Sequence, residues 1–239
     1  MNYTTITAED FKTGQILLFD KPLNWTSFQL VNKVRWMIRR SCDIKKIKVG
    51  HAGTLDPLAT GLLIICTGKF TKRIPELQGQ IKEYTGTFTL GATTPSYDLE
   101  TEIDQRFPID HISEAKIEEI KNNFIGEIEQ YPPVFSALKK DGKRLYEYAR
   151  KGEAVEIKPR AITIEEFETD ASAFPNINFK VVCSKGTYIR SLAHDFGQKL
   201  ESGAHLSTLR RTKIGDFRIE NSVNLDNFEK QLPRPISDF

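Results

Sequence analysis

The sequence predicts an α+β fold, and three observations predict it. Segments alternating apolar and polar residues read as strands with one buried face, and capped segments with apolar residues every three or four positions read as helices. The third is composition: hydrophobic residues fill 39% of the 239 positions and charged residues 28%, which argues against a disordered chain. A chain of this length buries a substantial core and is most simply one large domain, or one domain carrying an insertion.

In chain order, Gln15 to Phe19 reads as a buried strand and Asp20 to Asn24 as the turn that ends it. Thr26 or Ser27 caps a helix whose apolar positions Phe28, Val31, Val34 and Ile38, with Leu30 and Met37 beside them, face the core. Lys33, Arg35, Arg39 and Arg40 fall mostly outside that stripe and form an exposed basic surface. Leu62 to Cys66 is an apolar run far too short to cross a bilayer. From Lys82 to Gly91, Tyr84, Gly86, Phe88 and Leu90 alternate with threonines, the pattern of a strand with one buried face. Ser96 to Asp104 is an acidic, irregular connection. Ser113 opens a helix with Ile112 and Ile117 as a hydrophobic staple, Ile117, Ile120 and Phe124 on one face, and Gly126 as its stop. Ile177 to Cys183 is another alternating strand, and a helix runs from about Thr187 with Ile189, Leu192, Phe196 and Leu200 at helical spacing. Tyr188 and Arg190 therefore stand at a strand-to-helix junction, a usual place for functional side chains.

The chain is organised around Gly50-His51-Ala52-Gly53-Thr54-Leu55-Asp56-Pro57-Leu58-Ala59-Thr60-Gly61. Its glycines allow another backbone to come close. Pro57 pushes Asp56 out of the helical region, so the carboxylate can point away from the chain. A phosphate loop is excluded, because Gly68-Lys69 is followed by Phe70 and the glycine that loop needs is replaced by Leu63. A second informative segment is Tyr131 to Gly152, where two prolines precede interleaved aromatic and basic residues. Between Lys139 and Arg160 eight bases face four acids, a mixture suited to phosphates and unstacked bases.

Taken whole, Gly50 to Gly61 resembles the signature of the TruB family of tRNA pseudouridine synthases, and the resemblance covers about Gly14 to Phe217. It implies a mixed, largely antiparallel sheet flanked by helices. The catalytic domain would span 14–217, with a basic insertion at about 131–160 that folds against the T arm of tRNA. Pro132-Pro133 and Ser136-Ala137-Leu138-Lys139 match the start of that insertion. The resemblance makes Asp56 the catalytic nucleophile, and Gly186-Thr187-Tyr188-Ile189-Arg190 supplies a tyrosine and an arginine around it. Arg190 would pair with the Asp56 carboxylate and keep it charged. Tyr84 is expected to stack on the extruded base, and Tyr188 to hydrogen-bond near the carboxylate or move a proton. His51 is expected to wedge into the space left by the flipped nucleotide. Lys21-Pro22 resembles a family motif near the active site, which places Lys21 among the substrate-binding residues. In Leu206 to Thr212, Leu209 would touch the substrate base, with Arg210 and Arg211 beside it for phosphate.

The implied reaction isomerises uridine to pseudouridine in the T arm of tRNA, at position 55 of that molecule. It needs no cofactor and no metal. The alternative is a non-catalytic tRNA-binding or tRNA-folding protein on the same scaffold. A glycoside hydrolase would want a second carboxylate near the first, and none lies in the motif. One departure stands out: many bacterial members carry a small C-terminal RNA-binding domain, and here only Arg218 to Phe239 remain, a tail too short to fold alone.

The net charge of +2 is uninformative, but the charges segregate. Seven bases and only Asp43 lie between Lys33 and Lys48, whereas ten acids and three bases lie between Asp98 and Glu129. Cys42, Cys66 and Cys183, like the four histidines, have no metal or disulfide spacing. The N-terminus lacks a basic start and an apolar core, so a cytoplasmic location is expected. A monomer with no membrane role is the accompanying expectation.

Overall fold

The computed structural model describes residues 5–136, 139–140, 142–149, 153 and 155–233. The chain divides into two compact units, Met1–Lys82 with Arg210–Phe239, and Glu83–Leu209.

In the first unit, α1 (Ala8–Thr13) leads into β1 (Ile16–Lys21), α2 (Ser27–Ser41), β2 (Val49–His51) and β3 (Ala59–Thr67). β1 and β2 both pair antiparallel with β3, Ile16 opposite Cys66 and Gly50 opposite the same residue. β3 is buried on both faces, which is why its sequence is continuously apolar rather than alternating. Leu63 and Ile65 pack with Phe11, Phe19, Leu30, Val34, Ile38 and Phe228. Leu62, Ile64 and Cys66 pack on the other side with Leu77 and Ile214. β3 is followed by a 3₁₀ turn, Gly68–Arg73, and α3 (Ile74–Gly79).

Thr26 is the helix cap of α2: its hydroxyl accepts from the Gln29 amide, and the Gln29 side chain accepts from the Thr26 amide in return. The buried stripe of α2 is Ser27, Leu30, Val31, Val34, Met37, Ile38 and Ser41. Phe28, expected in that stripe, is 64% exposed. It lies on the far edge of the apolar arc, and Ser27 takes the inward place because its hydroxyl has a buried partner. The turn expected from Asp20 also begins later: β1 continues through Lys21, whose inward register follows Leu17 and Phe19.

The second unit contains β4 (Lys82–Leu90, from its second residue), β5 (Ala92–Thr93), β6 (Gln105–Arg106), α4 (Glu114–Asn122) and β7 (Gly126–Gln130). It continues with β8 (Lys139–Lys140), β9 (Lys143–Arg144), α5 (Leu145–Ala149), β10 (Arg160–Ala173), β11 (Asn176–Cys183) and α6 (Ile189–Lys199). β12 (Ala204–Ile214) begins in this unit and ends in the first, where β13 (Phe217–Arg218) pairs with it and α7 (Leu225–Glu229) follows. The sheet of the second unit runs β12-β4-β11-β10-β7, with β10 antiparallel to both its neighbours. Isolated parallel bridges, Phe19 to Val223 and Asp98 to Leu206, make the strand pairing mixed but largely antiparallel. Phe88, Phe124, Phe167, Phe179 and Phe196 form its aromatic core, with Phe88 stacked on Phe179 at 4.2 Å between ring centres. Gly86 breaks the buried alternation of β4 because any Cβ there would meet the Thr208 carbonyl at 2.2 Å. Ser113 caps α4 as expected, and the hairpin β8–β9 turns at Gly142. Residues 137–138, 141, 150–152 and 154 of the predicted insertion lie outside the described residues.

Candidate active site

Asp56 belongs to the first unit, in the loop between β2 and β3, and the backbone on both sides of it is held by distant parts of that unit. Ser27, the first residue of α2, grips Leu55 twice: its hydroxyl accepts from the Leu55 amide at 2.8 Å and donates to the Leu55 carbonyl at 3.1 Å. The Asp56 carbonyl accepts from the Ala59 amide at 3.1 Å, and the Pro57 carbonyl from the Asn24 amide at 2.9 Å. Lys21, wholly buried, directs its ammonium to the carbonyls of Trp25 (2.5 Å), Pro22 (2.9 Å) and Pro57 (3.3 Å). With its three donors on main-chain oxygens, Lys21 positions the Asp56–Pro57 turn in this structure. Burial lowers its pKa to about 8, and the nearby Asp56 carboxylate pulls in the opposite direction.

Arg211 completes this cage. It is 1% exposed, and its guanidinium donates to the Leu62 carbonyl at 2.8 Å and the Gly53 carbonyl at 3.1 Å. Gly61 has φ +102°, and a Cβ there would lie 2.3 Å from the Arg211 carbonyl, so only glycine fits the crossing. Arg210 donates to both Asp20 oxygens, at 3.1 and 2.7 Å. The expectation that Arg211 waits for phosphate is therefore corrected, since its side chain is internal, while Arg210 is half-exposed and paired with Asp20. Their partners lie 149 and 190 residues away in sequence, beyond any local pattern. His51 is half-buried at the end of β2, and burial, then the charge of Arg211, lowers its pKa, so the ring is neutral at physiological pH.

Tyr84, Tyr188, Arg190 and Leu209 belong to the second unit. Tyr84 is buried on β4. Tyr188 is the cap of α6, and Gln130 clamps its main chain, accepting from the Tyr188 amide at 2.8 Å and donating to the Tyr188 carbonyl at 3.0 Å. Arg190, 4% exposed on the first turn of α6, donates to the Ser96 carbonyl at 3.1 Å and lies 3.7 Å from the Asp98 carboxylate. That acid sits in the irregular connection, as expected, and side chains hold its turns: the Thr94 and Ser96 hydroxyls both donate to the Asp98 carbonyl, and Asp98 accepts from the Glu100 amide. The signal for Asp98 was the cluster Thr94, Ser96, Asp98 and Thr101, residue types that bond their own backbone. Leu209 is half-buried on β12.

At the other end of β3, Lys12, Lys46, Lys48, Lys69 and Lys72 line a cleft of about 280 Å³ in the first unit. Among the described residues no group of three or more His, Cys, Asp or Glu could hold a metal ion, and no helix is long and apolar enough to cross a membrane.

The N-terminal domain model of the TruB family of pseudouridylate synthases matches residues 39–189, and the C-terminal domain model of tRNA pseudouridylate synthase B matches residues 190–234. The chain is 63% identical over 228 residues to tRNA pseudouridine synthase B of Flavobacterium johnsoniae, covering 95% of this chain and 100% of that protein. It is 58% identical over 223 residues to tRNA pseudouridine synthase B of Phocaeicola vulgatus, covering 93% and 95%. Among solved structures, a chain of a Cbf5–Nop10–Gar1 complex superposes with TM-score 0.68 at 28% identity, over 94% of this chain. This chain spans 59% of that one.

Proposed function

The chain belongs to the TruB family of pseudouridylate synthases, and from that premise we propose that it isomerises uridine to pseudouridine in the T arm of tRNA, with Asp56 as the nucleophile. The observation that carries this reading is the cage around the loop. The main chain at Gly53, Leu55, Asp56 and Pro57 is bonded by Arg211, Ser27, Ala59, Lys21 and Asn24. An ordinary turn does not need a buried lysine and a buried arginine to hold it. A nucleophile does, because attack requires its oxygen within a fraction of an ångström of one position.

The chemistry asks little else of the chain. The bond from uracil N1 to the ribose carbon breaks, the base turns over, its C5 joins the same carbon, a proton leaves C5 and N1 gains one; nothing is gained or lost overall. Asp56 attacks either the ribose carbon or the uracil ring, or it takes a proton to give a glycal. All three routes use the same carboxylate. Arg190 pairs with it, Tyr84 stacks on the everted base, and Tyr188 hydrogen-bonds beside the carboxylate. His51, neutral at physiological pH, fills the gap in the RNA stack without adding charge. Leu209 closes on the base. Everting a base costs on the order of a few kcal/mol, which phosphate contacts from the lysine-rich surface of the first unit offset.

The test is to incubate the protein with an unmodified tRNA transcript and map pseudouridine by position. A mark confined to the T arm is expected. Asp56→Asn should bind the same RNA with undiminished affinity and form no pseudouridine; an active Asn variant would remove the residue from its role.

A further inference from the structure

The outward face of α2 is unusual for a surface helix. It carries two large exposed aromatics, Phe28 at 64% and Trp36 at 42%, and not one carboxylate. Lys33, Arg39 and Arg40 share that face, all exposed, and the Lys33 ammonium stands 4.4 Å from the centre of the Trp36 ring. Exposed aromatics normally cost solubility, and a monomer gains nothing by placing two of them on a helix whose opposite face already fills the core.

We propose that this face is a stacking platform for unpaired bases of the RNA substrate, outside the nucleotide that reacts. The proposal rests on the reading of the protein as an RNA-modifying enzyme and adds a contact to it. Charge complementarity selects the occupant. A protein partner would meet Lys33 and Arg39 on a helix that carries no acid, whereas an RNA strand brings phosphates for the cations and flat bases for the rings. Lys33 over one face of Trp36 orients the indole and leaves ring surface for a base, so that cation, indole and base stack in turn. Phe28 and Trp36 are eight residues apart, about 12 Å along the axis, enough for two separate bases. The platform adjoins the nucleophile, because Ser27, next to Phe28, holds Leu55, next to Asp56.

Trp36 provides its own probe. The chain has two tryptophans, and in Trp25→Phe the emission comes from Trp36 alone. An unmodified tRNA transcript should quench that emission. Phe28→Ala and Trp36→Ala should each raise KM for the transcript about tenfold, with the loss absent from kcat. Trp36→Phe, which keeps a ring, should recover most of the affinity. Neither alanine change removes a charge, so the salt slope of binding should stay, whereas Lys33→Gln should lower it by about one. Both rings are exposed, so the melting temperature should not move; a drop would show a structural role and overturn the proposal. Unchanged KM with unquenched Trp36 would overturn it too. So would a wild-type dimer in sedimentation that Phe28→Ala with Trp36→Ala makes monomeric, since the face would then join two copies of the chain. If the wild type forms no pseudouridine on the transcript, the functional reading fails instead.

Discussion

At the scale of single residues, the buried charges of this chain serve the backbone more than the surface. Lys21 is the clearest case. Its ammonium bonds three carbonyls around the Asp56–Pro57 turn, and burial holds its pKa near 8 against 10.5 unfolded. Removing it in Lys21→Met leaves those oxygens without their donor, which should cost about 1–3 kcal/mol. The activity should fall in kcat while RNA affinity holds, because the turn loosens and no contact to substrate is lost. The pH dependence has a fixed sign. Between about pH 8 and 10.5 the unfolded state binds the proton that the folded state has released, so wild-type stability should rise across that window relative to Lys21→Met. Urea unfolding at pH 7 and pH 10 measures both effects. Asp195 gives the opposite case: burial raises its carboxyl to about 6 from 3.8. Folded Asp195 keeps its proton longer than the unfolded chain, so its contribution to stability is lost as pH rises from 3.8 to 6. Asp195→Asn should therefore stabilise the protein at pH 7 relative to wild type, and the advantage should vanish near pH 4. Calorimetric melting at the two pH values checks it.

At the scale of elements, α2 does two separable jobs with adjacent residues. Thr26 caps it, and Ser27, its first residue, holds the Asp56 loop. Thr26→Ala loses the cap, and Ser27→Ala leaves the buried Leu55 amide and carbonyl unpaired; each should cost about 1–2 kcal/mol. Only Ser27→Ala should also lower kcat, measured on tRNA at saturation, because only it frees the residue before Asp56. Equal losses of kcat in both would show that helix stability, not the loop bond, sets the geometry. This pair also marks how far the sequence could be read. The cap is legible to within one residue, Thr26 or Ser27, and β4, α4, β11 and α6 are legible too, because their periodicity and caps are local. The second role of Ser27 was not, since its partner is 28 residues away. Lys21 carried a legible signal that composition obscured: it shares the parity of Leu17 and Phe19, and the burial alternation of β1 simply continues through it. Reading the lysine as a turn residue gave its polarity more weight than its register. Asp56 stood out only through the length of its motif, because the cage around it is assembled from β1, α2 and β12.

At the scale of the whole molecule, net charge and charge placement predict opposite behaviour toward RNA. A chain of net charge +2 spread evenly would bind a polyanion weakly and with little response to salt. Here the bases are sorted: Lys12, Lys46, Lys48, Lys69 and Lys72 share one cleft, while Asp98 to Glu129 holds ten acids. What a phosphate backbone meets is the local field, screened beyond about 8–10 Å at physiological salt, so net charge alone does not set the response of the cleft. If its five lysines each displace a counterion, affinity for tRNA should fall roughly 10²–10³-fold between 50 and 200 mM salt. Replacing Lys69 and Lys72 by Gln should reduce the logarithmic slope by about two, while kcat at saturating RNA stays at the wild-type value, since both lie at the end of β3 away from the Asp56 loop. Filter binding across a salt series, with wild type and the double variant side by side, decides the matter. An equal slope in both would mean that the backbone never enters the cleft and that the phosphate contacts lie elsewhere on the chain.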